Sequence, residues 1–363
     1  MELYFLDGQF EPITEAGAVD TFSSVVWSER YFENGSFTLH FSKELLPSVF
    51  KGEAVYVRTG VDVETGRIRC GRITYLLTDD EENGGECEMG GYLLESLFDD
   101  RVLAGKGCYT GTLTQAVRQA VTDNLRGCGV VLGEDDVLLS EKVSLTYEWD
   151  TLSDWLYSVL RPFGASYRIE LSPEDNVPVF RIVKGLDRSS GVGSTVSENC
   201  NPGQAVFSAS FGNIASIRFE QDTSGMKNVL YAEGADGTVV TVDRSGTSPK
   251  REIYKKVSDV KPADFSSTSA YTAALRQRGE EILAKRAGNV YVAAGTETDV
   301  LPKYGVDYAL GDICDVADDT LGLAFGLRLT AVDDVWENGT RSLYPSFGEE
   351  VRQIRKFIPD KRG

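Results

Sequence analysis

Residues 304–348 read YGVDYALGDICDVADDTLGLAFGLRLTAVDDVWENGTRSLYPSFG, and this stretch decides the fold class. Its short apolar and polar alternations, separated by turn residues, predict four short strands joined by tight turns. Asn338-Gly339 favours a type I′ hairpin, because both central residues of that turn need positive φ. The stretch therefore predicts a small antiparallel β-structure.

An earlier stretch of the chain echoes this pattern. From Gly52 the sequence runs GEAVYV, GRIRCGRIT and EENGGECEM, and from Gly311 it runs GDICDV, GLAFGLRLT and WENGTRSL. In both, a glycine and an acid open the first strand, the second strand is predicted to end at Thr74 or Thr330, and an Asn-Gly turn follows. Two explanations stay open: an internal duplication that builds two similar small β-barrels, or the limited turn chemistry of β-meanders in general.

Length and composition place the chain among soluble, multi-domain proteins. Its 363 residues exceed one ordinary core and predict two to four domains. Hydrophobic residues make up 41% and charged residues 26%, as in globular proteins. Neither a basic segment followed by an apolar one at the start nor a run of about 18 apolar residues is present, so we expect no secretory signal and no membrane span.

Net charge and cysteine content exclude further classes of function. The net charge of −19 repels phosphate backbones, which predicts no specific nucleic-acid binding, although DNA can pass an acidic wall without adhering. The six cysteines include no C-x-x-C pair, which argues against a zinc site and a disulfide framework and favours free thiols in a reducing cytoplasm. They are Cys70, Cys87, Cys108, Cys128, Cys200 and Cys314.

The first half of the chain divides into two parts. Residues 1–104 form a β-rich unit with a hairpin at Asp7-Gly8 and another at Asn34-Gly35. Residues 105–187 form an α+β insert, in which Thr112 and Gln115 predict a capping box before the first helix. A second helix is expected to begin at Asp150 or Thr151, and residues 188–203, rich in Ser, Gly and Asn, are the best candidate for a linker.

The sequence predicts no catalytic, cofactor-binding or metal-binding residue. The single histidine, His40, lies on the polar face of an alternating strand, so a histidine-based catalytic or metal site is not expected. Gly127-Cys-Gly129 and Gly191-Val-Gly193 are only fragments of a nucleotide-binding motif. A glycosidase would need two carboxyl groups about 5–10 Å apart in a cleft, but the acidic pairs fall in predicted turns. These pairs are Asp79-Asp80-Glu81-Glu82, Asp135-Asp136, Asp318-Asp319 and Asp333-Asp334.

Several segments, taken in order, resemble siphophage tail hub proteins, a tail-associated group related to the central baseplate hub of contractile tails. VVWSERYFENGSFTLHF (25–41) contains the Trp-x-x-x-Tyr strand and the Gly-x-Phe-x-Leu return strand of that family. FKGEAVYVR (50–58) and GGYLLESLFDDRVL (90–103) follow, the latter with the G-x-L-L-E-x-L run before the first helix. YALGDICDV (308–316) and LYPSFGE (343–349) resemble the closing barrel. The resemblance covers nearly the whole chain.

This resemblance implies a β-rich α+β fold with two similar small β-barrels per chain and an α+β insert. Three chains would form a trimeric, pseudo-sixfold ring between the sixfold tail tube and a threefold tip. The second barrel would be split into residues 204–245 and 288–348, with residues 246–287 as a helical insertion whose helix spans about residues 269–286. Residues 349–363 would be either a short amphipathic docking tail or a frayed terminus.

The resemblance also implies partners and place: a homotrimer, the distal tail or tail tube protein, the tape measure protein, and a tail-tip or spike protein. Such a protein is assembled in the bacterial cytoplasm and resides in the virion tail. A different class stays open as the alternative, a carbohydrate- or receptor-binding module of the same particle. It predicts a cluster of exposed aromatic residues around Tyr304, Tyr308 and Trp336. A third possibility is a cell-wall hydrolase that uses an acidic pair.

Overall fold

A computed structural model describes residues 1–14, 17–51, 53–78, 85–189, 203–214, 216–258, 260–265, 267–284, 286, 289–297, 301–318 and 323–348. The chain forms two compact units. The first comprises Met1–Ile217 and Ala293–Phe347, and the second includes Arg218–Val292. Most of the predicted linker (residues 188–203), the Asn83-Gly84 turn and the C-terminal tail lie outside the described residues.

The strands, in chain order, are β1 (Leu3–Leu6), β2 (Ala18–Val19), β3 (Phe22–Arg30), β4 (Ser36–Ser42), β5 (Tyr56–Thr59), β6 (Cys70–Thr78), β7 (Glu86–Leu93), β8 (Lys106–Thr112), β9 (Val131–Leu132), β10 (Lys142–Glu148), β11 (Ser166–Leu171), β12 (Pro178–Val183), β13 (Val206–Ser208), β14 (Ser216–Asp222), β15 (Val229–Gly234), β16 (Val239–Asp243), β17 (Glu252–Val257), β18 (Asn289–Glu297), β19 (Ile313–Asp318), β20 (Leu323–Glu337) and β21 (Thr340–Gly348). The α-helices are α1 (Leu46–Lys51), α2 (Leu113–Asn124), α3 (Leu152–Leu160) and α4 (Thr268–Ala284). The β-rich α+β class is thus confirmed.

The main sheet of the first unit contains the antiparallel order β2-β1-β5-β6-β7-β4-β3-β20-β21. Strand alternation assigns its two faces, because successive side chains point to opposite sides. On β3, Val25 and Trp27 are buried in a core that also contains Phe37, Leu39 and Met89. The other face of β3 carries half-buried Val26 and Ser28. One face of the sheet therefore builds the core, and the other is polar.

Two three-stranded meanders lie in this unit. β5-β6-β7 is the first meander and β19-β20-β21 is the second, and both run antiparallel in sequence order. The predicted strand ends at Thr74 and Thr330 are wrong, because both strands continue past that threonine. The register shifts there in each case, between Ile73 and Tyr75 and between Leu329 and Ala331. Such a shift is typical of a β-bulge, which places one extra residue in one strand.

The stretch 304–348 forms three strands instead of the predicted four. Residues 323–337 make one long strand, whose first half pairs with β19 and whose second half pairs with β3 and β21. The residues before Ile313 form a loop in which Tyr304 and Tyr308 make an isolated bridge. β13 adds to β19 in parallel. The long β20 thus connects the second meander to the strands that carry the first.

The two described Asn-Gly pairs differ in conformation. Asn338 and Gly339 have φ of 50° and 78° and connect β20 to β21 in a two-residue turn, as predicted. Asn34 and Gly35 are not in the positive-φ region, and they belong to a five-residue connection, so the tight turn predicted there is wrong. Gly35 is needed for space, since a Cβ atom would lie 2.5 Å from Cδ1 of Leu93.

The insert packs α2 and α3 against the β8–β10 ribbon and the β11-β12-β9 sheet. The capping box is confirmed: the Gln115 amide donates to the Thr112 hydroxyl (3.3 Å) and the Thr112 amide donates to the Gln115 side chain (3.1 Å). α3 begins after Thr151, as predicted. β8 was not predicted, because KGCYTGT has two glycines that disfavour strands. The ring of Tyr147 covers Gly107, where a Cβ would lie 2.5 Å from its hydroxyl.

The second unit contains a three-stranded sheet of order β16-β15-β17 and the helix α4. Apolar residues of β15 and β16 pack against Tyr271 and Leu275 of α4. The helix agrees with the predicted one to within two residues at each end. β15 is the central strand and pairs with β16 in antiparallel and with β17 in parallel orientation. The proposed division of the chain into barrels and insertions stays a prediction. Among the described helices, none is long and apolar enough to cross a membrane.

Candidate functional site: a buried arginine network and its pocket

A buried glutamate stands at the centre of the first unit. Glu29 follows Val25 and Trp27 on the core-facing side of β3, and only 1% of it is exposed. Its carboxylate accepts hydrogen bonds from Arg69 Nε (2.8 Å) and Arg67 Nη2 (3.3 Å). A buried carboxylate is stable only when charge partners and hydrogen bonds replace water. Arginines from the β5–β6 connection supply this replacement.

Two further parts of the unit reach the same carboxylate. Arg168 on β11 of the insert donates to Glu29 at 3.4 Å. The hydroxyl of Tyr304, in the loop before β19, donates at 3.0 Å. Burial alone raises the pKa of Glu29, but Arg67, Arg69 and Arg168 together hold it well below its usual range. Glu29 is therefore ionised in the folded protein.

Asp334 on β20 extends this cluster toward the second meander. It is fully buried, and Arg341 of β21 binds it with two nitrogens, Nε at 2.9 Å and Nη2 at 2.7 Å. Arg69 Nη2 lies 2.9 Å from the same carboxylate. The Arg341 guanidinium also lies 5.4 Å from the centre of the Trp336 ring, a cation–π distance. Arg69 therefore contacts carboxylates of two strands that lie side by side.

Glu170 on β11 completes the cluster by accepting from Arg67 Nε at 3.1 Å. Burial alone raises the pKa of Glu170, but Arg67 and Arg168 lower it, with the net effect that it is lowered. We call this cluster the arginine network. Its members are Glu29, Arg67, Arg69, Arg168, Glu170, Tyr304, Asp334 and Arg341.

The arginine network is built to hold strands together, not to move protons. A general acid or base works best with a pKa near the operating pH. The pKa values of Glu29 and Glu170 are shifted downward, away from neutrality, and burial raises the pKa of Tyr304. The chemistry that remains is electrostatic attachment between the main sheet, the insert and the loop before the second meander.

A pocket of about 350 Å³ opens beside the network. It lies between the β5–β6 connection, the end of β20 and the start of β21. Its lining includes Val61, Val63, Arg67, Arg69, Trp336 and Arg341. The size is at the lower end of small-ligand pockets.

A second junction fixes the start of the second meander. The Asp312 carboxylate accepts from the Leu186 amide at 2.7 Å and from Arg188 Nε at 2.6 Å. Gly311 has φ of 98°, and a Cβ there would lie 2.3 Å from the ring of Tyr31. The Tyr31 hydroxyl accepts from the Gly185 amide at 3.2 Å. The end of the insert and the beginning of β19 are thus attached to each other and to the β3–β4 connection.

Of the acidic pairs considered in the sequence, those that the structure describes in full do not form a catalytic pair in a cleft. Asp333 and Asp334 point to opposite faces of β20, Asp333 to Arg30 and Asp334 to the network. Asp135 accepts from Arg118 and from the Ile182 amide, both at 2.9 Å. Asp79-Asp80-Glu81-Glu82 and Asp319 lie outside the described residues. Asp135, Asp333 and Asp334 thus have structural partners.

The structure also describes the other candidate residues, which are His40 and three aromatic residues. His40 is half-buried on the polar face of β4, directly opposite Glu88 of β7. Tyr304 and Tyr308 do come together, with ring centres 5.5 Å apart, but they are 8% and 2% exposed. Trp336 is half-buried. The exposed aromatic cluster expected of a carbohydrate-binding module is therefore wrong for these three residues.

Sequence reasoning missed the arginine network itself. One signal was present: Glu29 has the same strand parity as Trp27, so alternation places a charge on the core face of β3. A second signal was the spacing of Arg67 and Arg69, which puts two cations on one side of an extended segment. Neither signal identifies all the partners of Glu29, because Arg168 and Tyr304 are more than a hundred residues away from it in sequence.

Comparison with known proteins agrees with this architecture. The family model described as siphovirus ReqiPepy6 Gp37-like protein matches residues 3–349. The chain belongs to this family. No curated protein matches the sequence of this Gp37-like chain.

Solved structures share the fold of this Gp37-like chain over nearly its whole length. The 43 kDa tail protein of prophage MuSo2 from Shewanella oneidensis has a TM-score of 0.59 at 12% identity, covering 96% of this chain and 97% of its own. A tail protein from Neisseria meningitidis MC58 has a TM-score of 0.58 at 13% identity, covering 96% of both chains. Prophage tail protein gp18 from Listeria monocytogenes EGD-e has a TM-score of 0.57 at 13% identity, covering 98% and 97%. The fold is that of phage tail proteins.

Proposed function

We propose that this Gp37-like chain is a structural hub at the distal end of a phage tail or a phage-derived tail-like particle. It joins the sixfold tail tube to a threefold tail tip as a homotrimer, and it resides in the virion tail. Its partners are the distal tail or tail tube protein, the tape measure protein and a tail-tip or spike protein. The role is structural and needs no catalytic residue.

One observation supports the proposal: the first unit contains two β-meanders with the same strand order and a bulge at the corresponding place. Both meanders have three antiparallel strands in sequence order, with a bulge at Thr74 in one and at Thr330 in the other. Ile73 pairs with Gly91, and Leu329 pairs with Phe347, so the partners are equally far apart in sequence in both. A subunit with two equivalent elements lets three chains present six, which is what a sixfold-to-threefold junction requires.

The polar face of the main sheet supports a place along a channel. One row of residues crosses six strands and both meanders: Leu77, Glu88, His40, Ser24, Glu337 and Thr340. The row carries an acid from each meander, and Glu86 lies on the same face. An acidic wall repels phosphate, so DNA passes along it without adhering.

Native mass spectrometry of the full chain at micromolar concentration tests the assembly. We expect a trimer, and co-expression with a distal tail protein should give a complex that retains three copies of the chain. A protein that stays monomeric both alone and with that partner would refute the hub. Trimers that do not bind any tail partner would refute the junction role.

A gel-shift assay tests whether the polar face of the main sheet lines a DNA channel. We expect Glu88→Lys with Glu337→Lys to make the assembled protein retain linear DNA in a gel-shift assay, whereas the unmodified protein does not. Glu141→Lys with Asp154→Lys is the matched control, since it changes the charge equally at two exposed positions of the insert. Equal DNA retention by both double variants would show that net charge alone is responsible and that this face does not line the channel.

A further inference from the structure

The pocket beside the arginine network has hydrogen-bond donors to offer a ligand. Arg67 and Arg69 line it with side chains that are 31% and 15% exposed. Their Nε and Nη2 groups are used by Glu29, Glu170 and Asp334. Within the described part of the chain, neither Nη1 group makes a hydrogen bond. Two guanidinium groups are therefore held in place by buried carboxylates while one nitrogen of each stays available.

The charge around the pocket selects the class of ligand. The side chains that line the pocket include three guanidinium groups, of Arg67, Arg69 and Arg341, and two carboxylates, an excess of one positive charge at its surface. Glu2 and Asp62 lie on the rim, but the Tyr4 hydroxyl binds Glu2, and the amides of Glu64 and Thr65 bind Asp62. These rim acids would repel a phosphate or a polyanion. A group with a single negative charge, a carboxylate, fits the excess.

Apolar side chains of the β5–β6 connection and of β20 form another part of the pocket lining. Val61 is half-exposed and Val63 is fully exposed on the β5–β6 connection. The Gly66 amide donates to the Asp62 carbonyl at 2.8 Å, and the Asp62 amide donates to the Arg67 carbonyl at 2.9 Å, which closes the loop on itself. Trp336 forms part of the opposite wall, and its indole N–H has no partner among the described residues. An apolar group beside the carboxylate would cover these side chains.

We propose that this pocket binds an acidic residue, flanked by an apolar residue, in an extended segment of a partner protein. The arginines bind the carboxylate in the manner typical of charge-assisted hydrogen bonds. The two exposed valines lie at the rim, where a passing polypeptide covers them and a small acid inside the pocket does not. This inference goes beyond the hub role, because it assigns a specific contact that a structural ring does not require.

The test uses acetylated and amidated hexapeptides that contain one central Glu between Leu or Phe residues, with a fluorescent label, and the same peptides with Gln in place of Glu. We expect the Glu peptides to bind the full chain in fluorescence polarisation about tenfold more tightly than the Gln peptides, the ratio expected from one charge-assisted contact. Equal binding of the two sets, or no saturable binding of either, would overturn the proposal.

Variants at Val63 separate the pocket from other surfaces without disturbing the buried charges. Val63→Asp adds a negative charge at the rim, and we expect it to weaken the Glu peptides about tenfold. Val63→Lys is the matched control at the same exposed position and should bind at least as well as the unmodified chain. The same loss in both variants would contradict recognition of a carboxylate. Competition by sodium acetate as effective as that by an unlabelled Glu peptide would contradict recognition of a peptide segment.

Discussion

Glu29 and Tyr304 are 275 positions apart, yet the Tyr304 hydroxyl donates a 3.0 Å hydrogen bond to the Glu29 carboxylate. Arg168 of the insert binds the same carboxylate, and Arg69 connects it to Asp334 of the second meander. One buried side chain thus lies where three distant parts of the first unit meet. A buried ion pair adds little net stability compared with well-packed apolar residues, whereas removing only one of its partners is costly.

Glu29→Gln tests this dependence. We expect the free energy of unfolding to fall by about 3–5 kcal/mol, because the variant leaves three partly buried guanidinium groups with one carboxylate fewer. Urea denaturation followed by circular dichroism measures the change. Glu88→Gln, on the polar face of the same sheet, is the control and should change stability by less than about 0.5 kcal/mol. Equal effects of the two variants would show that the network is not stabilising.

The stability that Glu29 contributes should decrease in acid. Burial alone raises the pKa of Glu29, but its arginine partners hold it far below the usual value of 4.5. A lowered pKa means that Glu29 contributes stability above its usual pKa and loses this contribution as the pH falls through its folded value. We therefore expect the stability difference between the unmodified chain and Glu29→Gln to shrink steadily below pH 4.5. A difference that stays constant down to the acid transition would contradict this assignment.

Glu95 should give the opposite pH dependence. It is 7% exposed in the turn after β7, one carboxylate oxygen has no partner within the described structure, and burial raises its pKa to about 7. Arg168 lowers this pKa, while Glu170 and Glu29 raise it. A raised pKa means that stability is fully present below pH 4.5 and is lost as the pH rises through about 7.

Glu95→Gln should remove this loss of stability at high pH. We expect the variant to be more stable than the unmodified chain at pH 8.5 by up to about 3 kcal/mol, and the gain to vanish toward pH 4.5. Melting temperatures across this pH range measure the effect. Glu88→Gln again serves as the control, and a gain that does not depend on pH would show that Glu95 does not titrate as described.

Much of the secondary structure followed from local sequence. The capping box at Thr112 and Gln115 and the Asn338-Gly339 turn were predictable, because the groups that satisfy each other are within a few residues. Thr330 marks where local reasoning fails. A bulge depends on the two neighbouring strands, so the sequence of β20 alone reads as a strand that ends. β8 was missed for a similar reason, since its pairing with β10 outweighs its weak strand propensity.

The arginine network was predictable only in part. Alternation in β3 places Glu29 on the buried face, and a buried carboxylate requires cationic partners. Which cations these are depends on the pairing of β5 with β6 and on the position of the insert. Arg168 and Tyr304 reach Glu29 through contacts that no local pattern encodes. The sequence thus indicated a need for a partner, while the tertiary structure determined its identity.

Gly311→Ala tests the second junction. The backbone at Gly311 has φ of 98°, and the added Cβ would lie 2.3 Å from the Tyr31 ring. Gly339→Ala is the matched control, with φ of 78° and nothing within 4 Å of the added atom. We expect Gly339→Ala to cost about 1–2 kcal/mol from backbone strain alone, and Gly311→Ala to cost about 1–3 kcal/mol more from the clash. Equal losses in chemical denaturation would mean that Tyr31 moves aside freely.

Deletion of Thr330 tests what the bulge in β20 contributes to stability. Leu329 pairs with Phe347 and Ala331 pairs with Ser346, so without the extra residue these two pairs become consecutive and the side chains after the bulge keep their faces. The Tyr31 amide loses the Thr330 carbonyl, which accepts its hydrogen bond at 2.9 Å. We expect unfolding to stay cooperative and the free energy of unfolding to fall by about 1–3 kcal/mol, measured by urea denaturation followed by circular dichroism.

Thr330→Ala is the control for this deletion. It keeps the bulge and removes the hydrogen bond from the Thr330 hydroxyl to the Ser346 carbonyl, which should cost about 1 kcal/mol. Deletion of Thr74 should have the same effect as deletion of Thr330, because the register of β6 and β7 shifts at that residue in the same way. A deletion variant that no longer unfolds cooperatively would contradict the preserved pairing of β20 with β21. A tolerated deletion at only one of the two threonines would contradict the structural equivalence of the two meanders.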